Sequence, residues 1–326
     1  MAMLEYKDSK RDYTEESCKL AVNALSAKYF NAIPEEALFL GGGSFGMAYR
    51  VRVGGENKVV KLFKVSGMHR TQAVETETLA GHCLVSFPRT LFIHDEDGEI
   101  PFDALGMEFM DGITCIEASP FKYSKKKRLS LASSLAEALR GIHSVKGEKY
   151  GLIQDAKYDT WFDFYRPIVD KVYNFVVEEG EDKRHRISPR MAKLVEYSYE
   201  NFDRIFEEPI GEPTLIHADL NVCNFMVDKK TLELKSIIDP WRTMYADVDF
   251  ELHQLFNQNG DSYYLYDTYK KKYKTSETVD LKTAFYALYN EIECYMLSGA
   301  CYAYVYPRMV KNLERQLKRF FGVKLK

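Results

Sequence analysis

Tryptophan is scarce in this chain, with two residues in 326 against 23 tyrosines and 20 phenylalanines. The six cysteines (Cys18, Cys83, Cys115, Cys223, Cys294, Cys301) are scattered, with no Cys-x-x-Cys pair and no histidines at zinc-ligand spacing. That argues against a disulfide framework or a structural zinc site and for inert, reduced thiols. Charge of one sign is also lacking. Forty-five Lys and Arg against 48 Asp and Glu leave −3, which gives no reason to expect nucleic acid or an anionic membrane as partner. No apolar run approaches the length of a membrane span, and the start, "MAMLEYKDSKRDYTEE", has no apolar signal region. The expectation is a soluble, cytoplasmic protein. Repeats and low-complexity linkers are absent as well. What is present, 46% hydrophobic and 29% charged residues, is ordinary for a globular chain with room for two lobes, each with its own core.

The pattern changes character along the chain. "YTEESCKLAVNALSAKYF" (13–30) reads as an amphipathic helix with Thr14 as N-cap and Glu15 and Glu16 at its positive end. Short alternating runs follow, "ALFLGGG", "MAYRVRV", "KVVKLFK", "RTLFIHD" and "DALGMEFM", punctuated by Gly54-Gly55 and Asp97-Gly98 and interrupted by a helix over "TQAVETETLA". From Asp111-Gly112 onward helical spacing dominates. "KKRLSLASSLAEALRGIHSV" is one helix. "WFDFYRPIVDKVYNFVV" places Trp161, Phe164, Ile168, Val172 and Phe175 on one face, with Pro167 expected to kink or break it. "KLVEYSYENFDRIF" is a third helix. The reading is α+β, with two lobes. An N-terminal nucleotide-binding lobe over 1–110 is a small antiparallel sheet with one inserted helix. A mainly helical C-terminal lobe over 111–326 carries the catalytic loop and substrate pocket, with a cleft expected between the two.

"GGGSFGMAYRV" fits G-x-G-x-x-G through Gly41, Gly43 and Gly46, with Ser44 in the loop. A P-loop needs Lys-Ser or Lys-Thr after the last glycine, and Met47-Ala48 stand there. A dinucleotide fingerprint opens a helix, whereas "MAYRVRV" alternates like a strand. The strand–loop–strand lid that covers nucleotide phosphates remains, and it calls for a lysine on the next strand. Lys61 in "KVVKLFK" fits, because an ammonium centred in an apolar strand is costly unless an anion meets it. Glu75 and Glu77 on the inserted helix are both available as its partner. Glu75, with Leu79 four residues on, is the choice.

"HADLNVCN" (217–224) matches H-x-D-L-x-x-x-N. Phosphoryl transfer needs a carboxylate to orient the attacking hydroxyl and take its proton, which is the role of Asp219. It also needs oxygen ligands for the metal bridging the phosphates, and Asn224 supplies one. A second ligand is expected at the end of the following strand, where "LKSIIDPWR" offers Asp239. His217 is read as ordering the loop. Any one of these residues alone is more commonly a turn or cap residue. Their occurrence in this order is what argues for catalysis.

These residues resemble the protein-kinase-like superfamily in its small-molecule branch, which holds aminoglycoside phosphotransferases, choline kinases and fructosamine kinases. The resemblance runs from about residue 36 to about 260 and is strongest in "LIHADLNVCNFMVD" and "SIIDPWRTMYADVDFELHQLF". Ala218 stands where the branch usually has glycine, and Val248 where it usually has proline. Asp239-Pro240 is similar to fructosamine kinases, but Asn221 replaces the tryptophan usual after their His-Gly-Asp-Leu. The resemblance implies that Asp219 is the base, that Asn224 and Asp239 bind magnesium, and that Lys61 contacts the α- and β-phosphates of ATP and pairs with Glu75. It further implies a hinge at "MEFMDG", where backbone groups of Glu108 and Met110 meet adenine. Asp247 and Glu251 are implied to be structural acids behind the catalytic loop.

Only Pro240–Ala246 separate Asp239 from the next helix and no Ala-Pro-Glu follows, so there is no platform for a peptide acceptor. The expected function is an ATP- and Mg2+-dependent kinase that phosphorylates a hydroxyl of a small polar metabolite or amino-sugar compound, with neither nucleic acid nor membrane as partner. The alternatives are a ketoamine kinase and a non-catalytic nucleotide-binding protein of the same fold, with an atypical protein kinase weaker. Asp155, Asp159, Asp163, Glu291 and Glu293 are candidates to hold a cationic amine, equally readable as solvated helix faces. Tyr295, Tyr302, Tyr304 and Tyr306 could stack a sugar, though core packing is the commoner role.

Overall fold

A computed structural model describes residues 13–178, 187–299 and 304–323. The chain separates into two compact units. One takes residues up to Gly81, Val85–Gly112 and Lys235–Asp239, and the other takes His82–Leu84, Ile113–Leu234 and Pro240 onward. A single cut at 110/111 therefore misses an exchange. Residues 235–239 belong with the sheet unit because Ser236 bridges to Ser86 and the Ile237 N–H donates to the Ser86 carbonyl at 3.0 Å.

In the first unit, α1 (Glu15–Phe30) starts where expected, with the Thr14 hydroxyl accepting the Ser17 N–H at 3.2 Å. Five strands follow: β1 (Glu36–Gly42), β2 (Gly46–Val53), β3 (Glu56–Phe63), β4 (Thr90–His94) and β5 (Asp103–Glu108). They form one antiparallel sheet in the order β1-β2-β3-β5-β4, with α2 (Met68–Ala80) inserted after β3. Strand alternation sorts the side chains between two faces. Val60 and Leu62 join Tyr49 and Val51 against Cys18, Val22 and Leu25 of α1. Phe63, Leu105 and Met107 pack with Ala73 of α2. Odd-numbered Lys61 is therefore delivered to the α2 side.

In the second unit, β6 (Ile113–Thr114) leads into α3 (Cys115–Ala118), a 3-10 turn (Pro120–Lys122) and α4 (Lys125–His143). After β7 (Gly151–Leu152) comes α5 (Trp161–Tyr173), which runs through Pro167 and passes into a π-helical turn at Asn174–Glu178. The expected break is thus absent at Pro167. Proline and Asp163, whose carbonyl loses its helical donor, both lie on the exposed face, where water can satisfy that carbonyl. Next come α6 (Pro189–Glu200), α7 (Phe202–Ile205), β8 (Thr214–Ile216) and β9 (Phe225–Val227), which pairs antiparallel with β6. A tight turn at 228–233 follows, in which the Asp228 carboxylate accepts the N–H groups of Lys230 and Thr231 at 2.8 and 2.7 Å, and then β10 (Leu234–Ile237). The chain ends with β11 (Met244–Ala246), α8 (Val248–Leu252), a broken 3-10 stretch (His253–Tyr263), α9 (Leu265–Lys272), α10 (Val279–Ser298) and α11 (Tyr306–Phe321).

Most of the aromatic excess is spent in this helical core. Trp161 stacks on Tyr165 at a centroid distance of 5.1 Å, edges against Phe250 and donates its indole N–H to the Tyr286 hydroxyl at 2.9 Å. The basic C-terminal segment packs as an amphipathic helix, with Met309, Val310, Leu313 and Leu317 buried. Two short pairings position the chemistry. β11 lies between β7 and β8, and because β8 and β11 run antiparallel with Met244 opposite Ile216, the loop leaving β8 starts beside the beginning of β11.

Candidate active site

The glycine loop joins β1 to β2 as a strand–loop–strand turn. The Gly43 N–H donates to the Gly46 carbonyl at 2.9 Å, and the Lys64 ammonium to the Gly43 carbonyl at 3.0 Å. Gly41 lies opposite Ala48 in the β1–β2 ladder, and Ser44 lies in the loop between the two strands. Gly46 is required for a steric reason. A Cβ there would sit 2.8 Å from the Leu62 carbonyl oxygen and 3.2 Å from Lys61 Cε. Gly46→Ala should therefore push β2 off β3 at the point where Lys61 is held. It is expected to cost about 1–3 kcal/mol in denaturant unfolding. An unchanged unfolding midpoint would show that the strands relax freely.

Lys61 lies opposite Ala48 and Leu105 in its ladders. Its ammonium is 2.5 Å from Asp239 Oδ1, which also accepts the Gln72 side-chain N–H at 2.7 Å. Asp239 itself sits at φ 56°, in the left-handed region, which turns the chain sharply after β10. Glu75 is buried on α2, one turn beyond Gln72, whereas Glu77 is exposed. Gln72 escaped the sequence reading. Its only signal was the three-residue spacing from Glu75 on one helix face. At the expected hinge, the Glu108 N–H donates to the Arg89 carbonyl at 3.0 Å. The Arg89 guanidinium, bonded to the Glu108 carboxylate, holds that carboxyl below its ordinary range. Met110 is half-buried just beyond the strand.

In the second unit the 217–224 loop is tied internally and from behind. Asp219 Oδ1 accepts the Asn221 amide at 2.9 Å and Oδ2 the Asn224 amide at 2.8 Å. Asn224 Nδ2 also reaches the Asp219 carbonyl at 2.7 Å. Asn221 Oδ1 closes the turn on the Cys223 N–H at 2.9 Å. The Asp219 N–H points to Nδ1 of buried His217 at 3.3 Å. Each carboxylate oxygen has further lone-pair capacity, so this clamp orients the carboxylate without exhausting it. Asn224 spends its amide nitrogen on Asp219, which leaves its amide oxygen as the atom it can offer a cation. Asn221, noticed in the sequence only as a departure from ketoamine kinases, is one of the two clamps.

Behind the loop, Glu251 of α8 accepts the consecutive N–H groups of His217 and Ala218 at 2.5 and 3.2 Å with a single oxygen. Ala218 lies at φ 68°, where a glycine would carry less strain. Burial works against ionising Glu251. The His143 ring, the nearby His217 and the Ala218 N–H together hold its carboxyl below the ordinary range. Asp247 caps α8, accepts the Tyr286 hydroxyl at 2.8 Å and faces Lys282 at 3.2 Å. Lys282, Asp247 and Asp249 are all buried. Burial and the neighbouring Asp247 push Asp249 up to about 6.

The candidate amine-holding acids divide. Asp155 and Asp159 make exposed ion pairs with Lys157 and Lys149, Asp163 closes the capping box of α5, and buried Glu293 pairs with half-buried Arg242 at 2.9 Å. Glu291 differs, because burial alone pushes it up to about 7. Cys294, raised first by its burial, also feels the charges of Glu293, Glu291 and Asp219. A carboxyl raised in the folded state holds its proton where the unfolded chain has lost it. Its stabilising contribution is complete below about pH 4.5 and is lost as pH rises towards 7. Glu291→Gln should therefore melt like the parent at pH 4.5 and be more stable at pH 8 by roughly 2 kcal/mol. A melting difference that does not grow with pH would refute this. Tyr306 is core, Tyr295 is edge-on to Phe175, Tyr304 is 70% exposed, and Tyr302 lies outside the described residues.

Among the described residues one further group, His69, Asp95 and Asp103, brings ligand-type atoms within metal-binding reach. Arg70 already bonds both Asp95 oxygens, so the cation position there is filled by a guanidinium.

The profile of the phosphotransferase enzyme family matches residues 39–273. Nothing among curated protein sequences matches the chain significantly. Solved structures share the fold at low identity. A thermostable aminoglycoside phosphotransferase APH(4)-Ia mutant, in ternary complex with AMP-PNP and hygromycin B, superposes with TM-score 0.69 at 16% identity, covering 93% of this chain and 100% of that one. The GDP and kanamycin complex of APH(2″)-IIIa gives 0.64 at 17%, covering 93% and 98%. A candidate fructosamine-3-kinase from Haemophilus somnus gives 0.60 at 15%, covering 92% and 96%.

Proposed function

Because the chain belongs to the phosphotransferase enzyme family, we propose that it is an ATP- and magnesium-dependent kinase that phosphorylates a hydroxyl of a small polar metabolite or amino-sugar compound. The observation that carries this reading is the Asp219 carboxylate, oriented by two amides on a loop whose backbone is gripped by Glu251. Asp219 accepts the hydroxyl proton as the substrate oxygen attacks the γ-phosphorus. The P–O bond to the β-phosphate breaks and ADP leaves. The protein forms no covalent bond, so its contribution is positioning and charge placement.

Two residues fit magnesium on their own chemistry. Asn224 presents an amide oxygen, and Asp239, with 49% of its side chain exposed, presents a carboxylate. Both are the hard oxygen donors this ion takes. An ion held by either residue would neutralise charge on the phosphates. Lys61 and Gln72 keep Asp239 in place and bring a positive charge to the phosphate side. The glycine loop supports nucleotide binding, with open space where side chains would stand at Gly41 and Gly43. Asn221 disfavours the ketoamine reading, since it occupies the position of the usual tryptophan with a side chain committed to the base.

The test is incubation with ATP, magnesium and a pool of aminoglycosides, choline-like amines, ketoamines and sugars, with a search by mass for one added phosphoryl group. A product that forms with the parent and not with Asp219→Asn supports the proposal. A product that forms equally with both would remove Asp219 from its role. Phosphate appearing in added protein instead would replace the substrate class.

A further inference from the structure

We propose that one face of the second unit docks on an anionic phospholipid surface. Lys122, Lys125, Lys126 and Lys127 flank the start of α4, Lys229 and Lys230 form the tip of the 228–233 turn, and all six are exposed. Two hydrogen bonds join these segments. The Tyr123 hydroxyl donates to the Lys229 carbonyl at 2.7 Å, and the Lys127 ammonium to the Lys230 carbonyl at 2.9 Å. A cavity of about 270 Å³ opens beside them, with Lys122, Lys127, Lys229 and Lys230 in its wall. Two of the three nearby carboxylates are turned to local work. Glu117 accepts the N–H and hydroxyl of Thr114, and Asp228 accepts the N–H groups of its own turn. The third, Glu233, is exposed at the end of that turn. Six ammonium groups against three carboxylates leave the face positive, although the chain as a whole carries −3. Whole-chain charge, which gave no reason to expect such a surface, averages this face away.

The second observation is apolar. Phe121 is 85% exposed at the crest of the 3-10 turn between this basic cluster and α3, where Ile116 is 45% exposed. A soluble polyanion would explain the lysines but would leave the phenyl ring in water. A bilayer takes both, since the ring enters the boundary between headgroups and acyl chains while the ammonium groups meet lipid phosphates. None of these residues belongs to the catalytic loop, the glycine loop or the hinge, so the inference stands apart from the reading of the active site.

The experiment is sedimentation of the full-length protein with vesicles of equal phosphatidylglycerol and phosphatidylcholine, and with phosphatidylcholine alone. The expected result is binding to the anionic vesicles only, released by 0.5 M NaCl because exposed charges are screened. Each lysine near an anionic leaflet contributes about fivefold to the partition. Lys229→Gln with Lys230→Gln should therefore lower it about 25-fold, and Phe121→Ser should lower it about tenfold. The variants should melt and turn over ATP like the parent. Absence of binding to the anionic vesicles, equal binding to phosphatidylcholine, or variants that bind like the parent would overturn the proposal. So would displacement by millimolar inorganic pyrophosphate combined with an unchanged Phe121→Ser, which would mark the face as a soluble-anion site.

Discussion

Asp219→Asn should lower kcat by about 10^2- to 10^4-fold, the range general-base assistance supplies, while ATP affinity changes by no more than about threefold. The substitution keeps size and planarity but removes the negative charge and one acceptor. The carboxylate satisfies two amide donors, Asn221 at Oδ1 and Asn224 at Oδ2. An amide in its place would set one N–H2 against another, so one clamp must turn away. A stability loss of about 1 kcal/mol should accompany the lost turnover. Single-turnover phosphoryl transfer and calorimetric ATP binding on the same preparation separate the effects. Loss of nucleotide binding in step with turnover would mean that the residue organises the nucleotide rather than the acceptor hydroxyl.

The second large effect is expected away from the reacting atoms. Glu251→Ala should cost about 3–5 kcal/mol in denaturant unfolding, because it strips two buried backbone N–H groups of their acceptor and leaves His143 facing an empty position. Glu251→Gln keeps an acceptor and should recover part of this. The pH dependence has a defined sign. The Glu251 carboxyl is held below its ordinary range, so its contribution is complete above about pH 4.5 and is lost as pH falls through the folded value. The glutamine variant should therefore lose less stability than the parent between pH 6 and pH 3. If the two acid limbs superimpose, the charge of Glu251 is not what grips the loop.

Most of the sheet unit was legible because its strands alternate. Val60 and Leu62 fall to one face, Lys61 and Phe63 to the other, and a period of two is enough to separate the lysine from the valine and leucine beside it. The 217–224 loop was flagged by its spacing of aspartate and asparagine, and the structure brings the Asn224 amide back to the Asp219 carboxylate. What stayed hidden depends on partners distant in sequence. β7, β8 and β11 have two or three residues each, too few for a period, and exist because they pair with one another. Gln72 meets Asp239 across 167 positions, and Glu251 meets His217 across 34. Pro167 does not break α5, because the carbonyl it frees, on Asp163, lies on the exposed face. The packing of residues 235–239 with the sheet unit stayed hidden too, as the Ser86–Ser236 bridge has no sequence signature.

The scarcity of tryptophan gives the molecule an optical simplicity. Trp161 is 1% exposed in the helical core, stacked on Tyr165 and bonded to Tyr286, while Trp241 is half-buried two residues beyond Asp239 and beside the Arg242 guanidinium. Tryptophan fluorescence therefore has two sources with separate meanings. The emission wavelength of Trp161 reports loss of the aromatic core, and the intensity of Trp241 reports events next to the expected metal ligand. A single Trp241→Phe exchange divides the signal into a folding channel and a ligand channel without adding any dye.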